Sequence, residues 1–374
     1  MDQADSVGTV LAHDELPRLL AGWLEARWPG AQGVDIHDLI TPKETGFSNE
    51  TVIFRAAWRE AGRRREGRYV MRIEPMSPPI FPPQTAERLP SVEIQYRAMA
   101  AVAQHSTVPI APLIGYEHRS SVLGRPFFVM EYVDGRVPSD VPPYSQSGFL
   151  VEEATPAQRR RLVESGLEAL ARIHRIDWKA AELAWLVPEG RTPGLRWQLE
   201  LYRDYARREL HGRTHAILER AFDWLEDNFP VESDLVISWG DARIGNMIFA
   251  DYTCAAVTDW EAVALAPPEV DVGWWLSQDR AAHEGYGIPR PEGLPTREEQ
   301  VAYYNALTGR HLRKMTYFEA FAALRYTTVF IPLGERLTAS GRVPPEMNMS
   351  INNVATQLLA DILEIPYRWT DPPR

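Results

Sequence analysis

A chain of 374 residues with 45% apolar and 24% charged side chains has the composition of a globular protein, long enough for two cores. Its net charge of −11 argues against a nucleic-acid binder, for which a basic face is the expected footprint. Cys254 is the single cysteine, which excludes an intramolecular disulfide and fits a reducing cytoplasm; the acidic start MDQADSVGTV lacks the pattern of a secretory signal, and no apolar run reaches the length of a membrane span.

The pattern of apolar residues then gives the elements in order. Leu16, Leu19, Leu20, Trp23 and Leu24 share one face of a helix over residues 14–28. VDIHDLI reads as a strand, and in TPKETGFSNETVIFRAAW a turn at Gly46 to Asn49 joins it to the next. Taken alone, that turn fits a plain hairpin equally well, because one glycine makes no phosphate-binding signature. A basic tip, Arg63 to Arg65, precedes a strand from Tyr69 to Ile73. Residues 75–90 contain six prolines and form no regular element, so they read as an ordered loop or lid ahead of the helix SVEIQYRAMAAVAQH. Within that helix Glu93 stands four residues before Arg97, the spacing of an ordinary surface pair.

Two more strands, PLIGYEH and RPFFVMEYV, lead to Asp134-Gly135, where we place the boundary between a domain of residues 1–134 and one of residues 135–374. Thr155-Pro156 is a cap and first-turn pair for a helix ending near Ile176, with His174 at its end. Residues 195–228 are largely helical, and residues 295–366 read as three helices.

The stretch with chemistry in it is DLVISWGDARIGNMIFADYTCAAVTDWE, residues 234–261. LVISW and MIFA read as the two strands of a hairpin, with GDARIGN as the tight loop between them. AAV then leads to Asp259 at a strand end. Gly, Asp and Asn are also what simple turns are made of. Asp241, Asn246 and Asp259, spaced by five and thirteen positions, are nevertheless the oxygen donors that phosphoryl transfer requires: metal ligands, and a carboxylate to orient an acceptor hydroxyl.

This stretch resembles the catalytic and metal loops of the aminoglycoside phosphotransferase and choline kinase-like family, relatives of the protein kinases, whose signature is H-G-D-x-x-x-x-N followed by a strand and D-[WF]-E. The chain departs from it at Trp239, where the family has His. The resemblance implies an α+β, two-lobed, protein-kinase-like fold, with an N-lobe of antiparallel sheet plus helix and a mainly helical C-lobe. It also implies ATP in the cleft, Mg²⁺ on Asn246 and Asp259, and Asp241 as catalytic base. Ser48 and Asn49 then belong to the turn covering the phosphates. Arg72 takes the place of the strand lysine, Glu93 is its partner, and the Glu131 carbonyl and Val133 N–H face the adenine. His174 and Asp271 are implied to support the catalytic loop. Arg72-Ile73-Glu74-Pro75 is similar to the R-x-x-P of the kinase-like domain in acyl-CoA dehydrogenase fusion proteins.

The expected activity is transfer of the γ-phosphate of ATP to a hydroxyl of a small molecule, a hydroxyacyl-CoA among the candidates. An aminoglycoside or other antibiotic kinase is the alternative within the class, and a nucleotide-binding pseudokinase the alternative outside it. The basic run GRHLRKM, read as a helix face, favours an anionic or neutral acceptor over a polycation, while a simply solvated run fits the same residues equally well.

Overall fold

The structure is a computed structural model and describes residues 15–42, 49–85, 89–231 and 234–368. The chain forms two compact units. One comprises residues 1–79, 89–100 and 111–133, and the other residues 80–88, 101–110 and 134–374.

The first unit is built on a five-stranded antiparallel sheet. Its strands are β1 (Ala31–Ile40), β2 (Glu50–Glu60), β3 (Arg63–Ile73), β4 (Leu113–Glu117) and β5 (Phe127–Glu131), in the order β1-β2-β3-β5-β4. Alternation decides which face is buried: Val52, Phe54 and Ala56 of β2 point the same way as Tyr69, Met71 and Ile73 of β3. Against that face lies α1 (Leu16–Glu25), whose Leu16, Leu20, Trp23 and Leu24 are buried. Fully burying such a side chain contributes about 1.5–3 kcal/mol. The helix α2 (Ser91–His105) follows the proline-rich segment, and a single turn, α3 (Ser120–Leu123), lies between β4 and β5.

The second unit is mainly helical. After a single turn, α4 (Phe149–Glu152), comes α5 (Pro156–Ile173), which opens with a complete capping box between Thr155 and Gln158. Next are α6 (Leu195–Leu210) and α7 (Ala216–Asp227). Then come four short strands, β6 (Val236–Ser238), β7 (Met247–Ala250), β8 (Thr253–Val257) and β9 (Ala264–Ala266). The chain ends in α8 (Pro268–His283), α9 (Arg297–Thr308), α10 (Met315–Ala339) and α11 (Val354–Ile362). The core gathers Leu199, Tyr202, Ala221, Leu225, Phe321 and Leu324, so α10 is flanked by α6 and α7.

Two expectations need correction. LVISW and MIFA do not form a hairpin: β6 pairs with β9 and β7 with β8, so GDARIGN connects two separate ribbons. Local alternation shows that a segment is a strand but not its partner, and here both partners lie beyond Asp251. The described part of the proline-rich segment, by contrast, is the ordered loop that its composition led us to expect. Ile80 and Phe81 are buried, the Tyr205 hydroxyl donates to the Ile80 carbonyl at 2.8 Å, and the Gln198 amide donates to Gln84 at 2.7 Å, which anchors the segment on α6. GRHLRKM is not a helix face. Residues 310–314 are the non-helical link from α9 to α10.

Candidate active site

In the second unit, Asp241 and Asp259 sit on the two connections that join the ribbons, β6 to β7 and β8 to β9. Asp271, in the first turn of α8, fixes the start of the first connection. It is fully buried and accepts from the Ser238 hydroxyl at 2.7 Å, the Trp239 amide at 2.7 Å and the Gly240 amide at 2.9 Å. His174 Nε2 meets it at 3.0 Å, and His174 Nδ1 meets the Tyr304 hydroxyl at 2.6 Å. Burial opposes ionisation of Asp271, but the bonds from His174, Ser238 and Gly240 outweigh it and hold its pKa below the ordinary value. The support implied for His174 and Asp271 is therefore present in the geometry.

Gly240 has φ of +90° and lies so close to Ala262 that a Cβ would run into the Ala262 carbonyl. Only glycine meets both demands. The Gly240 carbonyl receives the Arg325 guanidinium at 2.7 Å, and Arg325 is itself buried over the Trp274 ring, 4.5 Å from its centroid.

Asp241 follows, 7% exposed. Its Oδ1 accepts from Trp274 Nε1 at 2.7 Å and its Oδ2 from Asn246 Nδ2 at 2.7 Å. Arg243 Nε approaches both oxygens, at 3.2 and 3.3 Å. The structure thus brings Asp241 and Asn246 into direct contact. Asn246 Nδ2 also donates to the Asp241 carbonyl at 3.1 Å, so the amide nitrogen is committed to Asp241 and the amide oxygen is the atom able to accept a hydrogen bond or bind a cation.

The second connection is tied to the first by several bonds. The Asn246 carbonyl accepts from the Thr258 amide and from its hydroxyl, both at 2.9 Å. Trp239, fully buried, sends its indole N–H to the carbonyls of Thr258 at 2.9 Å and Asp259 at 3.1 Å. The residue that departs from the family pattern therefore ties the two loops together. Asp259 has φ of +57°, a left-handed conformation uncommon outside glycine, and this bond lies on its own carbonyl.

An amide oxygen and a carboxylate, Asn246 and Asp259, are hard ligands of the kind Mg²⁺ takes. Among the described residues no group of three or more His, Cys, Asp or Glu is placed to hold a metal.

The remaining predicted residues belong to the first unit. Ser48 lies outside the described residues. Asn49 is buried and its Nδ2 donates to Ser91 at 3.3 Å. Arg72 donates to Thr51 at 3.1 Å, while Glu93 receives the Tyr116 hydroxyl at 3.1 Å and Arg97 at 3.5 Å, so the described contacts of these two are with other neighbours. Glu131 ends β5. The Tyr132 amide donates to Arg68 on β3, whereas the Glu131 amide turns the other way, to Pro112 at 2.8 Å. By the alternation of a strand the Glu131 carbonyl faces away from β3 as well, and Val133 has the same parity.

Sequence reasoning missed Trp274, Arg243 and Arg325. Trp274 carried a usable signal, since it lies three residues after Asp271 and so on the same side of α8. Arg325 carried none, because only the fold brings α10 to Gly240.

Comparison with known proteins bears on the family and the fold. The sequence matches the phosphotransferase enzyme family (APH) over residues 40–316. It is 24% identical over 313 residues to acyl-CoA dehydrogenase family member 11 of Mus musculus, an alignment covering 80% of this chain and 37% of that protein. The chain thus matches little more than a third of that relative's length. A crystal structure of a candidate aminoglycoside phosphotransferase from Ralstonia eutropha JMP134 superposes with a TM-score of 0.67 at 22% identity, covering 93% of this chain and 98% of that one. Aminoglycoside phosphotransferase APH(4)-Ia, in a ternary complex with ADP and hygromycin B, superposes with a TM-score of 0.55 at 13% identity over 94% of this chain and 98% of that one. The fold shared with these structures is the α+β protein-kinase-like fold. With three-quarters of its length matched, the chain belongs to the phosphotransferase enzyme family.

Proposed function

We propose that the protein transfers the γ-phosphoryl group of ATP to a hydroxyl of a small molecule, with Asp241 orienting that hydroxyl and accepting its proton. One observation carries this reading: a buried carboxylate held by Trp274 and by Asn246, the latter also offering an oxygen ligand. Asn246 and Asp259 would hold Mg²⁺, which when bound neutralises charge on the β- and γ-phosphates. In the first unit, Arg72 would contact phosphate. Arginine keeps a permanent charge and a fork that fits phosphate, so its presence instead of lysine is compatible with that role. Ser48, Asn49 and Glu93 would support the nucleotide, and the backbone of Glu131 and Val133 would bind the adenine.

The names of the relatives suggest two acceptor classes. Acyl-CoA dehydrogenase family member 11 points to a hydroxylated acyl compound such as a hydroxyacyl-CoA, and the APH(4)-Ia complex points to an antibiotic. We favour the former, for the reason of charge developed in the Discussion.

Asp241→Asn tests the reading. Nucleotide affinity, measured by titration with a non-hydrolysable ATP analogue, should stay within a few-fold, while transfer to an accepted substrate falls by about 10²-fold or more. A variant that keeps its rate removes Asp241 from the mechanism.

A further inference from the structure

We propose that Arg243 is a second catalytic residue, whose guanidinium grips the phosphoryl group in flight; this rests on the phosphoryl-transfer reading of Asp241. Arg243 lies two residues after Asp241 in the same loop, and three observations single it out. First, two carboxylates fix it: Nε faces both oxygens of Asp241, at 3.2 and 3.3 Å, and Nη1 donates to Asp140. Second, the loop is shaped around it. A Cβ on Gly245 would run into Arg243 Nη1 and Asp140 Oδ1, so the glycine leaves the space that this ion pair fills. Third, Nη2 makes no hydrogen bond among the described residues, and the side chain as a whole is 22% exposed.

The geometry of transfer then leaves little choice. A hydroxyl oriented by Asp241 lies about 3 Å from the carboxylate, and the phosphorus it attacks lies about 3–3.5 Å beyond. A guanidinium already in contact with that carboxylate therefore has the transferring oxygens within reach of its free nitrogen. Bond order passes from the bridging oxygen of ADP to the acceptor oxygen, and the acceptor proton goes to Asp241. Arg243 forms no bond; it offsets charge on the equatorial oxygens, where a planar donor fork fits. Its bonds to Asp241 are the longest that carboxylate receives, against 2.7 Å from Trp274 and from Asn246, so the arriving hydroxyl can take that place at least cost. A different reading of the same contacts makes Arg243 a mask over Asp241, and its removal would then raise activity.

The test needs no knowledge of the acceptor. The full chain, Arg243→Gln and Arg243→Lys are titrated calorimetrically with Mg·AMP-PNP, which mimics the ground state, and with Mg·ADP plus aluminium fluoride, which mimics the phosphoryl group in flight. Thermal melting of each variant is recorded alongside. AMP-PNP affinity should stay within about 3-fold in both variants, while the aluminium fluoride complex should weaken by about 10²-fold in Arg243→Gln, the scale of one lost transition-state donor, and less in Arg243→Lys. Equal weakening of both complexes, no weakening, or tighter binding in Arg243→Gln overturns the proposal. If the unmodified chain binds neither complex, the phosphoryl-transfer reading itself has failed, a result unlike any of these.

Discussion

At the scale of single residues, the loop is held by positions whose substitutes fail for different reasons. Gly240 combines φ of +90° with a Cβ direction blocked by the Ala262 carbonyl. Gly240→Ala should therefore cost at least about 2 kcal/mol, the left-handed penalty plus the clash, and lower the urea midpoint. An unchanged midpoint would mean that the two loops are not in close contact. Trp239 shows how far a motif can change. Family expectation puts His there, yet the indole N–H reaches two successive carbonyls of the second loop, so what this position supplies is a donor at the right depth. The contact between Asp241 and Asn246 was legible, because the two stand five positions apart in one loop. Arg243 stands in full view in GDARIGN, but a sequence does not show which way a guanidinium folds back.

At the scale of elements, capping supplies a pH-sensitive joint. His215 caps α7, its Nδ1 accepting from the Leu218 amide at 3.3 Å, and Nε2 faces Thr356 of α11 at 3.5 Å. Burial drives its pKa down to about 4, against a backbone hydrogen bond that acts the other way. The unfolded chain thus binds this proton near pH 6.5 and the folded chain only near pH 4. The associated stability is complete above about 6.5 and is lost as pH falls from there toward 4, by roughly 3 kcal/mol in all. Denaturant unfolding of the native chain and of His215→Asn across that range should show the slope in the first and a flatter line in the second. The helices themselves were legible from caps and periodicity, Thr155-Pro156 among the clearest. Strand pairing was not, because β6 and β7 each find a partner more distant than the sequence neighbour.

For the molecule as a whole, the acceptor question turns on uncompensated charge. The acidity of −11 invites a cationic acceptor, but the carboxylates on the C-terminal helices are largely committed within the protein. Asp279 pairs with Arg290, Glu284 with Arg280 and Arg297, Glu299 with Arg160, and Glu319 lies within 4.0 Å of Arg280 and Arg297. A polycation would have to compete with arginines already seated on these carboxylates. The basic link before α10 gives no support either way. Its Arg310 lies 3.8 Å from Asp234 and lines a surface cavity of about 450 Å³ with His174, Asp177 and Lys179. We therefore expect kanamycin-type compounds to be poor substrates in a coupled ADP-release assay, with kcat/KM well below the 10⁴ M⁻¹s⁻¹ or so at the lower end for natural substrates. A value at or above that level would place the protein with the antibiotic kinases.

The exchange of partners among the four short strands makes a mechanical linkage. Because β6 is bonded to β9 and β7 to β8, the two connections bearing Asp241 and Asp259 are parallel arms between the same pair of ribbons. Trp239 and Thr258 act as rungs between those arms. A displacement of one arm is then resisted by its bonds to the other, so the two carboxylates are braced against each other through the backbone that carries them.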